Sequence, residues 1–156
     1  MVALDVQTGR LAWEYDYGTN MCVESSLTLL NGIHYIGSSG NQYVVGLDGQ
    51  AGSEFTKLNT ATFNWSTPLV VSDTLLIGAA TYQKPYIGGL LAIKLAGGKL
   101  PATNNLDRFR WYLTLNAAPD MSEVWSGVAS SPVMADGVIY FGGLDGRLYA
   151  VSGEVK

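Results

Sequence analysis

The sequence predicts an all-β chain built from a repeated antiparallel sheet, and three observations carry this prediction. Short runs of β-branched, aromatic and other apolar residues alternate with Asp-Gly and Asn-Gly turns. The same succession of strands recurs along the chain. Helical periodicity is nearly absent from a composition with 19 glycines, 47% hydrophobic residues and 14% charged residues, which is typical of many short strands joined by tight turns.

The clearest unit lies at residues 129–151. Three short apolar runs occupy residues 131–135, 138–142 and 147–151, and an Asp-Gly pair separates the first two. Such a pair between two apolar runs is the strongest short-range signal for a hairpin, because both central positions of the turn need positive φ. The unit therefore predicts a three-stranded antiparallel meander with apolar residues on both faces.

Two copies of this unit precede it. Equivalent glycines give the register: 41 residues separate Gly37 from Gly78, and 64 separate Gly78 from Gly142. A four-stranded propeller blade takes roughly 40 to 50 residues. The longer interval therefore indicates a blade that carries insertions at residues 80–89 and 97–127.

The repeat predicts a partial β-propeller of about three four-stranded blades. Sheets that are apolar on both faces must stack on neighbours. The chain is expected to form one unit over residues 1–156, with a half blade at 1–15, a blade at 24–58, a blade with insertions at 65–114 and a three-stranded blade at 129–151. Propellers close with typically four to eight blades, so the ring is expected to need further blades.

The composition excludes several classes of function. With a net charge of −4 and only nine Lys and Arg residues, the chain has no basic face, so nucleic-acid binding is not expected. No apolar run approaches the roughly 20 residues that span a bilayer. A single Cys and a single His exclude an intrachain disulfide and a Cys/His zinc site.

A motif near the start carries a family resemblance. Ala3, Asp5, Thr8, Gly9 and Trp13 fit the pattern A-x-D-x-x-T-G-x-x-x-W. With the later S-S-P and D-G-V-I-Y-F-G segments, the chain resembles the repeats of the PQQ-like (quinoprotein-type, BamB-like) β-propellers. This resemblance implies that the Trp stacks between adjacent blades while the Asp and Thr close a turn. The family includes both dehydrogenases and outer-membrane assembly lipoproteins, so the motif predicts fold and not function.

The later copies depart from the motif. Thr56 stands at the Trp position of the second copy, beside Phe55, and Lys94 replaces the Asp of the third. Only Trp111, after an insertion, supplies an indole to the third copy. The contacts by which this motif holds adjacent blades together are therefore expected to differ from one blade to the next.

The incomplete blades at the two ends indicate either that the sequence is an excerpt of a larger propeller or that partners complete the ring, and the second alternative predicts a homo-oligomer. If two copies meet head to tail, the edge strand from Leu11 to Tyr15 of one copy is expected to pair with the strand at 147–151 of the other. Two whole blades from each chain and two shared blades would then form a six-bladed ring. Such an exchange removes exposed sheet edges.

No residue is assigned a catalytic role, and no metal site is expected. His34 lies within an apolar run and is interpreted as a packed histidine with one hydrogen bond. Asp48, Asp136 and Asp145 stand at turns, where their use is structural. The apolar neighbours of Cys22 predict that it is buried.

Propeller geometry places the start of each blade's first strand at a central channel. One explanation for the small hydroxyl residues at these positions is structural, because small side chains let the strands converge. The alternative is that the mouth of the channel binds a ligand, which would stack on aromatic rings. The candidate ligand-binding residues are Glu24, Ser25, Trp65, Ser66, Trp125 and Ser130. Tyr82, Tyr86 and Tyr112, in or beside the inserted loops, are candidates for a protein-contact rim.

The resemblance to quinoprotein dehydrogenases would imply PQQ with Ca²⁺, a catalytic Asp and a vicinal Cys-Cys disulfide. The chain has no Cys-Cys pair, so a non-catalytic binding or assembly scaffold without cofactor is the leading interpretation. The alternatives are a fragment of a PQQ-dependent alcohol or sugar dehydrogenase, and a propeller that binds a sugar or another small ligand. The resemblance implies an extracytoplasmic, periplasmic location.

Overall fold

The computed structural model describes residues 1–18, 22–82, 88–102, 109–115 and 125–152. Within these ranges the secondary structure consists of β-strands and turns, which confirms the all-β prediction. None of these residues forms a helix that is long and apolar enough to cross a membrane.

The strands form four antiparallel sheets. An N-terminal pair contains β1 (Val2–Leu4) and β2 (Leu11–Glu14). The first blade contains β3 (Thr28–Leu30), β4 (Ile33–Gly37), β5 (Tyr43–Asp48) and β6 (Glu54–Asn59). The second blade contains β7 (Leu69–Val71), β8 (Thr74–Thr81), β9 (Gly88–Lys94), β10 (Phe109–Leu115) and the two-residue β11 (Ser126–Gly127), which pairs with the end of β8. The third blade contains β12 (Val133–Ala135), β13 (Val138–Gly142) and β14 (Leu148–Ser152).

The pairing of third and fourth strands follows one register. Ala3 pairs with Trp13 in the N-terminal pair, and Gly46 pairs with Thr56 in the first blade. In the second blade, Ala92 pairs with Trp111. Trp111 therefore occupies the place of Trp13 although an insertion precedes it. A small residue on the third strand leaves room for the larger side chain opposite it.

Aspartate side chains close two of the turns that join third to fourth strands. The Asp5 carboxylate accepts hydrogen bonds from the backbone N–H and the hydroxyl of Thr8, both at 2.7 Å. The Asp48 carboxylate likewise accepts from the backbone N–H groups of Gln50 and Ala51. Lys94 stands at the equivalent place in the second blade, where the backbone of residues 96–99 closes the turn instead.

Two apolar cores lie between successive blades. The first joins the first and second blades and includes Tyr35, Val44, Leu75 and Ile77, which are fully buried. The second joins the second and third blades through residues such as Leu76, Leu90, Val128, Ile139 and Phe141. The alternating side chains of β8 enter both cores, because neighbouring residues of a strand point to opposite faces. The blades therefore stack face to face.

Candidate functional site

In each blade, one candidate serine is hydrogen-bonded from the start of the blade to the end of the second strand. Ser25 donates from Oγ to the carbonyl of Gly37, and Ser66 Oγ accepts from the N–H of Gly78 at 2.7 Å. Ser130 Oγ accepts from the N–H of Gly142 at 2.7 Å and donates to its carbonyl at 3.0 Å. Each serine is 12 residues before its glycine. These hydroxyls therefore hold the first strand of each blade against the second.

The next residue in each repeat links one blade to the following blade. The N–H of Ser26 donates to Thr67 Oγ1 at 3.1 Å, and the N–H of Thr67 donates to Ser131 Oγ at 2.9 Å. We call Ser26, Thr67 and Ser131 the hydroxyl ladder. Among the residues that the structure describes, the Ser26 hydroxyl and the Ser131 N–H have no hydrogen-bond partner. The two ends of the ladder thus carry an open acceptor and an open donor.

The two candidate tryptophans lie in one aromatic cluster, formed by Phe63, Trp65, Tyr82 and Trp125. The ring centroids of Trp65 and Trp125 are 4.4 Å apart. Phe63 and Tyr82 lie 4.9 Å and 4.8 Å from Trp125, both edge-on. Trp65 and Trp125 are half-buried, while 50% of Tyr82 is exposed. The cluster offers an aromatic surface at the end of β8.

Glu24 lies at the corresponding end of the first blade. It is exposed, and its Oε1 accepts a hydrogen bond of 2.9 Å from Ser39 Oγ. Ser39 also donates from its N–H to the carbonyl of Cys22. The Cys22 side chain is exposed, so the prediction that it is buried is wrong: only its backbone carbonyl is tied to the blade.

The five motif residues near the start connect the N-terminal pair to the first blade. Trp13 donates from Nε1 to the carbonyl of Gly49 at 3.1 Å. A Cβ on Gly52 would lie 2.5 Å from the Trp13 ring, so the indole packs directly on this glycine. In the turn between β1 and β2, the N–H of Gly9 donates to the carbonyl of Asp5, and the bonds from Thr8 lower the pKa of Asp5. The turn orients β2 so that Trp13 reaches the next blade.

Thr56 makes a comparable contact one blade further on. Its Oγ1 accepts a hydrogen bond of 2.9 Å from the N–H of Leu100, which follows the turn at the end of β9. The Lys99 ammonium lies over the Phe55 ring, 5.4 Å from its centroid. Tyr35 donates from its hydroxyl to the carbonyl of Gly98 in the same turn. A hydroxyl and a short turn thus replace the indole contact between these blades.

His34 lies half-buried between the N-terminal pair and the first blade. The ring centroids of His34 and Trp13 are 6.1 Å apart. Its Nδ1 is buried and has no hydrogen-bond partner in the described part of the chain. The expected hydrogen bond is therefore not made by this nitrogen, and the ring lies beside the Trp13 indole and near the backbone of Gly49.

The structure describes two of the three candidate tyrosines, and these two lie in different surroundings. Tyr82 belongs to the aromatic cluster, and Tyr86 lies outside the described residues. Tyr112 is in the middle of β10, opposite Leu91, and packs against the first core. Burial raises the pKa of Tyr112 to about 12. Tyr112 therefore contributes to packing between blades, in contrast to the exposed Tyr82.

The described residues do not fit a site for PQQ and Ca²⁺. Within the described ranges, no three His, Cys, Asp or Glu side chains lie together where they could hold a metal ion. Cys22 is the only cysteine of the chain, so no vicinal disulfide can form. Among the described residues, the aromatic cluster has no group of three His, Cys, Asp or Glu side chains beside it that could hold a metal ion.

Comparison with known proteins identifies relatives of this fold. A family model described as outer membrane protein assembly factor BamB matches residues 1–154. BamB from Moraxella catarrhalis superposes with a TM-score of 0.63 and 17% identity, over 97% of this chain and 39% of that chain. The quinohemoprotein alcohol dehydrogenase of Comamonas testosteroni superposes with a TM-score of 0.68 and 17% identity, over 91% of this chain and 26% of that chain. The quinohemoprotein alcohol dehydrogenase ADHIIG of Pseudomonas putida HK5 superposes with a TM-score of 0.65 and 18% identity, over 93% of this chain and 21% of that chain.

These comparisons confirm the predicted resemblance to PQQ-like propellers and the partial propeller fold. At such identities the solved structures establish the fold and not the activity. The chain spans 39% of the BamB structure and 26% of the Comamonas enzyme. No protein with a curated description matches the chain.

Proposed function

Because the chain belongs to the family of the outer membrane protein assembly factor BamB, we propose that it is a non-catalytic propeller module that acts as a binding or assembly scaffold. A closed ring needs more blades than the described residues form. The description of the family supports protein partners and an extracytoplasmic, periplasmic location. The lack of a fitting cofactor site among the described residues supports a scaffold over a dehydrogenase fragment.

The observation that carries this proposal is the exposed apolar face of the third blade. Three apolar side chains share this face: Val133, Tyr140 and Leu148. Val133 pairs with Tyr140, and Leu148 pairs with Gly142, which is two residues after Tyr140 and therefore on the same face. Val133 is 59% exposed and Leu148 is 80% exposed. The opposite face of the same sheet, with Ile139 and Phe141, is buried against the second blade. A sheet with both faces apolar favours a second neighbour.

The other end of the stack also exposes apolar side chains. The N-terminal pair contributes Trp13 to the outward face of the first blade, next to His34. Leu29 pairs with His34 on that face and is 60% exposed. The N-terminal pair thus leaves the inner strands of the first blade uncovered. Two unlike apolar ends support head-to-tail association, and such a heterologous contact generates a ring when its rotation closes.

A second copy is the occupant that we propose for these ends. Two whole blades from each chain and two shared blades would form a six-bladed ring, within the usual range. Sedimentation equilibrium or light scattering measures the mass in solution. A dimer is expected at micromolar concentration, and a monomer over the whole concentration range would contradict closure by a second copy.

Binding of PQQ distinguishes the scaffold from a dehydrogenase fragment. We expect PQQ together with Ca²⁺ to leave the melting temperature unchanged, because the described residues offer no cluster of ligands. A ligand present at 100 times its Kd would stabilise the fold by about 2.7 kcal/mol. Differential scanning fluorimetry with Ca²⁺ alone as the control makes the measurement. A saturable stabilisation that needs PQQ would contradict the scaffold.

The aromatic cluster supports a second candidate function, the binding of a sugar. Pyranose rings stack on aromatic faces, and Trp65 and Trp125 lie together beside the exposed Tyr82. On this candidate, a panel of mono- and disaccharides is expected to contain one that quenches tryptophan fluorescence saturably. Trp65→Ala should abolish the quenching, while Trp111→Phe, outside the cluster, should retain it. Quenching that survives in Trp65→Ala would exclude the cluster as the site.

A further inference from the structure

Asn31 and Gly32 form the exposed turn between β3 and β4. Asparagine is one of the thermolabile residues, because the backbone nitrogen of the next residue can attack its side-chain amide. The attack is least obstructed when the next residue is glycine, which has no Cβ and lets other atoms approach its backbone closely. Asn31 is the only asparagine of the chain that is followed by glycine. The sequence therefore places its most reactive asparagine at an exposed turn.

The surroundings of Gly32 leave its nitrogen open to reaction. Among the residues that the structure describes, no group accepts a hydrogen bond from the Gly32 N–H. A Cβ built on Gly32 would have no atom within 4 Å, apart from those of its chain neighbours. By contrast, Asn64 is fully buried and donates from Nδ2 to the carbonyl of Gly78 at 3.1 Å. Asn31 is therefore better placed to react than Asn64.

We propose that Asn31 is a site of spontaneous deamidation, and that its isoaspartate product loosens the contact of Trp13 with the first blade. In the first step, the Gly32 nitrogen forms a bond to Cγ of Asn31. The proton of that nitrogen leaves with the side-chain nitrogen as ammonia, which gives a succinimide ring. Water then opens the ring. Opening at one carbonyl yields aspartate, and opening at the other yields isoaspartate, whose backbone is one carbon longer.

The aspartate product fits the fold. The equivalent turn of the third blade consists of Asp136 and Gly137, with φ of 49° and 76°. Asn31 and Gly32 have φ of 49° and 79°. Aspartate thus already occupies the same turn geometry in another blade. Conversion of Asn31 to aspartate is therefore expected to add a negative charge and to leave the turn unchanged.

The isoaspartate product disturbs two hydrogen bonds that lie in series. The Gly32 carbonyl accepts from the N–H of Gly49 at 2.7 Å, and the Gly49 carbonyl accepts from Nε1 of Trp13 at 3.1 Å. An extra backbone carbon in a two-residue turn displaces the Gly32 carbonyl, because the length of the turn fixes the register of a hairpin. The displacement is passed to Gly49 and weakens the hydrogen bond that holds Trp13.

Ageing of the full chain in mildly alkaline buffer tests this proposal. Mass spectrometry with fragment ions is expected to locate the mass change from amide to acid at Asn31 before Asn41, Asn59 or Asn64 changes. Chromatography then separates the isoaspartate form. In that form, hydrogen exchange of the amides in β1 and β2 is expected to accelerate by about three- to tenfold, since about one hydrogen bond is lost.

Two variants are the matched controls. Asn31→Gly allows positive φ but has no amide that could cyclise, so ageing should leave its exchange unchanged. Freshly purified Asn31→Asp carries the charge without the extra carbon and should exchange like the original chain. Deamidation that occurs first at another described asparagine would overturn the proposal, as would an isoaspartate form with unchanged exchange in β1 and β2. Faster exchange of these strands in fresh Asn31→Asp would also overturn it, because charge alone would then be the cause.

Discussion

Replacing Gly127 with alanine is expected to destabilise the chain by about 3 kcal/mol, the sum of steric overlap and backbone strain. Gly127 has a φ of +105° in β11, where a Cβ would lie 2.0 Å from the carbonyl oxygen of Ala79 and 2.7 Å from Cα of Gly88. Both neighbours are backbone atoms, so no side chain can rotate away. The melting temperature should fall by about 10 °C, measured by circular dichroism.

Gly137→Ala is the control that separates the two causes. Gly137 also has positive φ, +76°, but a Cβ there would meet nothing within 4 Å. Gly137→Ala should lower the free energy of unfolding by about 1 kcal/mol, from backbone strain alone. Equal losses of stability in the two variants would show that β11 does not pack tightly against β8 and β9.

Replacing Trp13 with alanine is expected to detach the N-terminal pair from the first blade. The indole supplies the packing on Gly52 and the hydrogen bond to Gly49, and a further hydrogen bond between the two sheets runs from Tyr15 to Glu54 at 2.6 Å. Loss of a half-buried indole should cost about 2 to 3 kcal/mol. Hydrogen exchange of the amides in β1 and β2 should accelerate by about 30- to 150-fold, because 1.4 kcal/mol corresponds to a factor of ten.

Tyr15→Phe provides the comparison for Trp13→Ala. It removes only the hydroxyl that donates to Glu54, a bond between exposed groups, so exchange in β1 and β2 should accelerate by less than about tenfold. Amides of β8, in the centre of the stack, should keep their protection in both variants. Unchanged exchange in Trp13→Ala would mean that the pair is held by other contacts.

The fold of this chain could be predicted largely from local patterns. Hairpin turns such as Asp136-Gly137 have positive φ at both residues in the structure, as the turn type requires. The alternation of Ile139 and Phe141 with Tyr140 placed two side chains in a core and one outside it. Recurring glycines also gave the register of the repeat. The turn and alternation signals each span less than about one strand and one turn, and the glycine recurrence is visible in the sequence at spacings of 41 and 64 residues.

The candidate site was predicted less completely, because its members come from different segments. Trp65 and Trp125 were placed at one channel mouth because each lies before a first strand, but their direct ring contact, which joins segments 60 positions apart, was not predicted. Phe63, two residues before Trp65, was missed. Its spacing indicates the same side of an extended segment as Trp65, and that signal was available in the sequence.

By itself the sequence determined the class of fold, the repeat and the turns, since hydrophobic alternation and turn chemistry act between residues close in the chain. Only the tertiary structure decided how one blade meets the next. Thr56 bonds to Leu100, and Ser26 and Ser131 both bond to Thr67, across 41 to 64 residues. Such contacts depend on the angle and distance at which whole sheets stack, and no local pattern records these quantities.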